Sequence, residues 1–160
     1  KFVGWTKSGN AGSGRYEIFL DPADTYKVLV KGPSTHEDIW YSASQGYMES
    51  SPLAPPATAN FSLRPAGLIG GWVMQSGWPL QGAYVSVFTS CGCMTPKNAG
   101  TDVAGNYSVK VVTSASSGYQ YRVRAIPPLG QTRWYSTATS IWDAADVDAP
   151  DIDVNIETPP

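Results

Sequence analysis

Apolar residues in this chain fall at every second position over short runs, the period of a half-buried β-strand and not the 3.6 of a helix. Ala83, Val85 and Val87 alternate with Tyr84, Ser86 and Phe88, and Tyr107, Val109 and Val111 alternate with Ser108 and Lys110. The stretch 119–125 repeats the pattern and puts Arg122 and Arg124 outward. Near the C-terminus Ile152, Val154 and Ile156 read as inward, with Asp153 and Asn155 outward. Residues 68–75 form a longer apolar run of strand-forming residues. Turn chemistry separates the runs, in Ser76-Gly77-Trp78-Pro79 and in Thr101-Asp102-Val103-Ala104-Gly105. Five or more short strands punctuated in this way predict an all-β protein built as a β-sandwich.

The same landmarks occur twice in the same order. Gly14-Arg15-Tyr16, Tyr26-Lys27-Val28-Leu29-Val30, Trp40-Tyr41-Ser42-Ala43 and Phe61-Ser62-Leu63 form the first series. Gly105-Asn106-Tyr107, Tyr121-Arg122-Val123-Arg124-Ala125, Trp134-Tyr135-Ser136-Thr137 and Val154-Asn155-Ile156 form the second. The repeat predicts two tandem units, 1–65 and 66–160, joined at Arg64-Pro65-Ala66-Gly67. The first unit is incomplete, because nothing in it corresponds to 67–88 and Lys1 to Gly14 is too short to supply both opening strands. An incomplete sandwich leaves a free sheet edge and an uncovered apolar face, both costly in a monomer. Three accounts are open: an excerpt of a longer array, a smaller sandwich, or strands contributed by a neighbouring chain. The closing Glu157-Thr158-Pro159-Pro160 reads as a linker or as an end that abuts the next subunit. Repeat logic favours a surface array or filament.

Composition narrows the function. Charged residues are 15% of the chain, below the roughly 25% of ordinary domains, and the formal net charge is −2. With no basic cluster, nucleic acid is not an expected partner. No apolar run reaches the ~18 residues of a spanning helix, so membrane insertion is not expected either. The opening Lys1-Phe2-Val3-Gly4-Trp5 has no signal-peptide pattern, so an exported protein is expected to have shed its signal already. Two cysteines and one histidine, His36, cannot assemble a common structural zinc site. There is no G-x-S-x-G turn, and His36 stands in a polar loop, so no catalytic residue and no cofactor are expected.

Gly67-Leu68-Ile69-Gly70-Gly71, Pro79-Leu80-Gln81-Gly82-Ala83-Tyr84-Val85-Ser86-Val87, Thr101-Asp102 with Gly105-Asn106-Tyr107, and Tyr121 with Val123 together resemble the carboxypeptidase regulatory-like domain. The resemblance covers 67–157 and, as a partial copy, 1–66. It implies an immunoglobulin-like or prealbumin-like (transthyretin-like) sandwich similar to the B repeats of Gram-positive adhesins. It also implies a non-catalytic extracellular or cell-surface role as stalk, adhesive or filament unit, whose partners are copies of itself or neighbouring modules. The B repeats' Lys-to-Asn crosslink is not expected, since 68–75 contains no Lys. A carbohydrate-binding accessory domain of a secreted enzyme is the alternative, with a cell-surface glycan as partner.

Within that frame the candidate contact residues are aromatic. Trp78 stands in a turn where packing does not call for an indole, and Trp5 and Trp142 are weaker candidates of the same kind, with Trp72. Trp40 and Trp134 recur in both series and read as shared packing. Cys91 and Cys93 are candidates for a local or interchain disulfide, with free thiols as the alternative. Asn60 and Asn106 head N-x-S sequons and are candidate glycosylation sites. Asp143, Asp146, Asp148, Asp151, Asp153 and Glu157 lack a calcium-loop pattern and read as a solvated acidic edge.

Overall fold

The computed structural model describes residues 3–8, 14–43, 47–92 and 96–160. Its elements in chain order are β1 (Leu29–Val30), β2 (Ile39–Trp40), a 3-10 turn (Tyr41–Ala43), β3 (Ala66–Gln75), β4 (Trp78–Pro79), β5 (Tyr84–Thr89) and β6 (Lys97–Gly100). There follow β7 (Asn106–Val112), the single turn α1 (Ser114–Ser117), β8 (Tyr121–Ile126), β9 (Arg133–Trp134), a second 3-10 turn (Tyr135–Thr137) and β10 (Ile156–Thr158). The protein is all-β.

Two sheets face each other across the rear part of the chain. In one, β3 is central: it pairs antiparallel with β7 from Ala66↔Val112 to Trp72↔Asn106, parallel with β10, and turns back into β4. The other runs β6-β5-β8-β9. The predicted alternation puts Val85 and Val87, Val109 and Val111, and Val123 and Ala125 inward, against Ile69 and Val73 of β3 and Val154 and Ile156. Each fully buried branched side chain contributes about 1.5–3 kcal/mol of transfer free energy. Tyr107 and Tyr121 reach across this core and donate to the carbonyls of Val154 (2.7 Å) and Val112 (2.6 Å). Burial pushes both phenols above their ordinary pKa, Tyr107 most.

β3 can run so close to its neighbours because of its glycines. A Cβ on Gly71 would collide with the Val154 carbonyl and come within 2.8 Å of Asn155 Oδ1. That Oδ1 accepts the Trp72 backbone N–H at 3.1 Å, so Asn155 is an acceptor in the sheet and not merely an outward residue. At the turn into β7, Asp102 Oδ1 accepts from the N–H groups of Ala104 and Asn106, both at 2.9 Å. Gly105 takes the left-handed φ of +77° that the turn requires.

Three readings of side-chain direction are corrected. Ile152 is 70% exposed and not inward, because Asp151 Oδ1 caps the Asp153 N–H in a turn and β10 starts only at Ile156. Arg122 and Arg124 leave the core but do not face open solvent. Arg122 Nε pairs with Asp146 at 2.8 Å, and the Arg124 guanidinium lies over the rings of Phe88 and Trp134. Trp78 lies in the short strand β4, just past the turn.

The front part, up to Pro65, is sparser. β1 and β2 pair antiparallel, and Tyr26 and Leu53 exchange backbone hydrogen bonds at 2.7 Å. Residues 35–37 run against 64–66, with Glu37 N–H to Arg64 O and Ala66 N–H to Thr35 O. Glu37, buried, holds the Arg64 guanidinium through both oxygens at 2.8 and 3.0 Å. The seam to the rear part is closed by Lys110 Nζ on Asp38 at 2.6 Å and by the Thr113 N–H on Pro65 O. Lys97 lies near the same acids, yet burial holds its amine below the usual lysine range.

Candidate functional site

Local geometry of the rear half recurs in the front half at a nearly constant offset. Gly14 and Gly105 both take left-handed φ, and the tyrosine two residues on bonds a carbonyl in both halves: Tyr16 to Ala59 at 2.6 Å, Tyr107 to Val154 at 2.7 Å. The Tyr26–Leu53 bridge matches Tyr121–Val147, and Leu29↔Trp40 matches Arg124↔Trp134. Lys27 Nζ donates to Tyr47 O where Arg122 donates to Ile141 O. After each tryptophan a 3-10 turn follows with its serine at positive φ, Ser42 at 66° and Ser136 at 61°. Each of those serine oxygens accepts an N–H nine residues on, from Ser51 (3.3 Å) and Ala145 (3.2 Å). These pairs also correct the register of the last landmark: Ala59 and not Phe61 occupies the place of Val154, so Asn60 stands where Asn155 stands.

With that register a difference between the halves becomes visible. In the rear half β3 lies between β7 and β10 and is bonded to both. The front counterparts of β7 and β10 are 15–21 and 61–63, and among the described residues neither belongs to a strand. Tyr16, Ile18 and Leu20 still alternate half-buried with exposed neighbours, as in a strand. Their rear counterparts Tyr107, Val109 and Val111 are buried, as is Val123, whereas Val28 is only half-buried. In the front half, then, Ala59 O accepts from Tyr16 and the neighbouring Asn60 is exposed.

The predicted contact residues lie elsewhere. Trp78, Trp5 and Trp142 are 77%, 71% and 80% exposed, and none takes part in the ring-ring contacts among the described residues. Trp72 is half-buried on β3, while Trp134 is buried against Phe88 and Trp40 packs edge-on to Tyr47. Asn60 and Asn106 are both exposed, and Asn106 Nδ2 reaches Asp102 at 3.5 Å. Cys91 is disulfide-bonded; Cys93 lies outside the described residues. His36 Nδ1 lies 3.0 Å from Thr35 Oγ1, in the stretch that runs against Pro65. The acidic segment divides: Asp146 serves Arg122, Asp143 accepts from Ser140, and Asp151 caps Asp153. Among the described residues no three His, Cys, Asp or Glu side chains gather as a metal site would require, and no helix is long and apolar enough to cross a membrane.

No family model, curated protein or solved structure matches this chain. The site therefore rests on comparison of the chain with itself. Sequence reading placed Asn60 as a glycan acceptor and missed its kinship with Asn155. It also missed a likeness at the N-terminus, where Phe2-Val3-Gly4-Trp5-Thr6-Lys7-Ser8 lines up without a gap with Ile69-Gly70-Gly71-Trp72-Val73-Met74-Gln75. The shared Gly-Trp followed by a β-branched residue is the signal that could have revealed it.

Proposed function

We propose that this chain is a non-catalytic structural module, two β-sandwich units in tandem with the first incomplete, acting as a segment of an extracellular stalk, adhesin or filament. The recurrence of hydrogen-bonded pairs between the halves supports this reading: Ser42–Ser51 with Ser136–Ala145, and Tyr16–Ala59 with Tyr107–Val154. Units that repeat along a chain and contact mainly their neighbours form extended arrays, and in such arrays function lies in the contacts between units. The resemblance to carboxypeptidase regulatory-like domains points the same way, and the cell-surface setting belongs to the proposal. The exposed Trp5, Trp78 and Trp142 favour a second reading, a carbohydrate-binding accessory domain, since indole faces stack on sugar rings.

Head-to-tail fusions of two and four copies of the chain, measured by small-angle X-ray scattering, separate the two readings. An array module gives a maximum dimension that grows in proportion to copy number, and no binding on a glycan array. A compact fusion, or sugar binding abolished by Trp78→Ala, would overturn the structural reading.

A further inference from the structure

We infer that the end face of the rear half, formed by the loop 127–132 and Pro159-Pro160, docks head to tail on the face that carries Phe19 in a second copy of this chain. The inference rests on the module reading above and names the two surfaces through which units meet.

Such a contact already exists once inside the chain. At the seam the loop 32–38 runs against 64–66, and β7 of the rear half lies on it: Lys110 Nζ reaches Asp38 Oδ1 at 2.6 Å and Gly32 O at 3.4 Å. Val30 pairs with Ile39 as Ala125 pairs with Arg133, so 127–132 is the counterpart of that loop, one residue shorter, with Thr132 in the place of Asp38. Equivalence of Ala59 with Val154 likewise puts Pro159-Pro160 in the place of Arg64-Pro65. Gln75 Nε2 donates to both Leu129 O and Pro159 O, at 3.0 and 2.9 Å, and holds this second loop and tail together. The rear half thus ends in the same kind of face that the front half uses at the seam.

The two faces differ in cover and in charge. His36 and Asp38 are half-buried at the seam, whereas Gln131 and Thr132 are exposed and Leu129 is 82% exposed. Lys110 is half-buried, whereas Phe19, its counterpart three residues after Tyr16, is 91% exposed. Exposed apolar side chains are ordinary one by one, but these two fall on the two sides of a contact the chain already makes. They have also changed together: the ionic pair of the seam gives way to Phe19 on one side and to Leu129 and Thr132, both uncharged, on the other. A lysine in the manner of Lys110 would find no carboxylate at Thr132, whereas a phenyl ring meets an isobutyl group. This complementarity selects the front half of a second copy over another unit of the rear kind. Pro22 stands in the place of Thr113 and has no N–H to give the tail carbonyl, so the contact between copies is weaker than the seam. It is heterologous and therefore propagates into open-ended assemblies instead of closing as a dimer.

The test uses the full chain and three variants, Phe19→Lys, Thr132→Asp and, as a control on neither face, Ile152→Lys. All three side chains are exposed, so the variants are expected to melt with the parent. Sedimentation velocity of the full chain, in a series reaching about 1 mM, is expected to show open-ended association. Phe19→Lys and Thr132→Asp each weaken it at least about fivefold, and Ile152→Lys leaves it unchanged. An equimolar mixture of the Phe19→Lys and Thr132→Asp chains regains association, because lysine then meets aspartate as Lys110 meets Asp38 while the remaining faces meet as in the parent. The regained part weakens with added salt. A monomeric full chain, association unmoved by the first two variants, an equal loss in Ile152→Lys, or a mixture that stays apart would each overturn the docking faces. The scattering of the fusions judges the module reading separately, since an elongated fusion is compatible with every one of these outcomes.

Discussion

Gly71→Ala isolates the steric requirement on which the rear sheet depends. The added methyl would occupy space already held by the Val154 carbonyl, 2.7 Å from its carbon and 2.8 Å from Asn155 Oδ1. These are backbone atoms and a side chain engaged in the sheet, so they cannot swing aside as the end of a lysine would. Separating β3 from the 154–155 segment costs about 1–3 kcal/mol in overpacking. It also stretches two hydrogen bonds, Trp72 N–H to Asn155 and Tyr107 O–H to Val154 O, the second of them buried. A buried group left unsatisfied costs about 1–3 kcal/mol. A loss of about 3 kcal/mol follows, a large share of the 5–15 kcal/mol that typical domains possess. Urea unfolding followed by tryptophan fluorescence measures it, with Gly100→Ala as the control, since nothing lies within 4 Å of that Cβ position and φ there is not left-handed. A Gly71→Ala protein within about 0.5 kcal/mol of the parent, as expected for an ordinary surface change, would refute the argument.

The other expectations follow from named contacts. Tyr107→Phe should cost about 1–2 kcal/mol in the same unfolding assay because Val154 O loses its buried donor, whereas Tyr16→Phe, half-buried, should cost about half as much. The N–H groups of Asn106, with help from that of Ala104, hold the Asp102 carboxylate below its usual pKa. A carboxylate with a depressed folded pKa stabilises above its unfolded pKa of about 3.9, and the contribution fades as pH falls through the folded value. Melting temperatures of the parent and Asp102→Ala should therefore differ at neutral pH and converge below about pH 4. Glu37→Ala strips the Arg64 guanidinium of its bidentate partner and should cost about 2 kcal/mol, less than a fully buried pair because Arg64 is 37% exposed; calorimetry at neutral pH reads it.

Strand periodicity made most of the rear half legible before any coordinates. The inward sets of β5, β7 and β8 stand where alternation put them, since a half-buried strand has no other way to face its core. Alternation failed at Ile152 because it presumes a strand, and an aspartate cap had already bent the backbone there. It gave too little weight to Arg122 and Arg124, whose outward faces are covered by the 141–146 segment and by Trp134, contacts that reach beyond the strand itself. The turn geometry shared by Trp40-Tyr41-Ser42 and Trp134-Tyr135-Ser136 was readable in the sequence, yet the last pair of landmarks was placed two residues late. Phe61 looks more like a core residue than Ala59 does, and only the Tyr16 hydrogen bond identifies the alanine carbonyl as the counterpart of Val154.

That two-residue correction alters what the two halves have in common. With Ala59 and Asn60 in register, the front half shares with the rear a carbonyl held by a tyrosine and an asparagine directly after it. Hydrophobic coverage is non-directional and fits many registers, whereas a tyrosine bonded to one particular carbonyl fixes a single one. The front half is held by ion pairs and backbone bonds between residues far apart in the chain, with the ring contacts Trp40–Tyr47 and Tyr41–Phe61 beside them. Glu37 grips Arg64, Asp38 grips Lys110 across the seam, and the Tyr26–Leu53 pair closes the loop that carries Trp40. Two of these ties close the front half on itself and the third fastens it to β7, so its shape rests on specific pairs, with only Ile39 and Ala59 buried among its described hydrophobic residues.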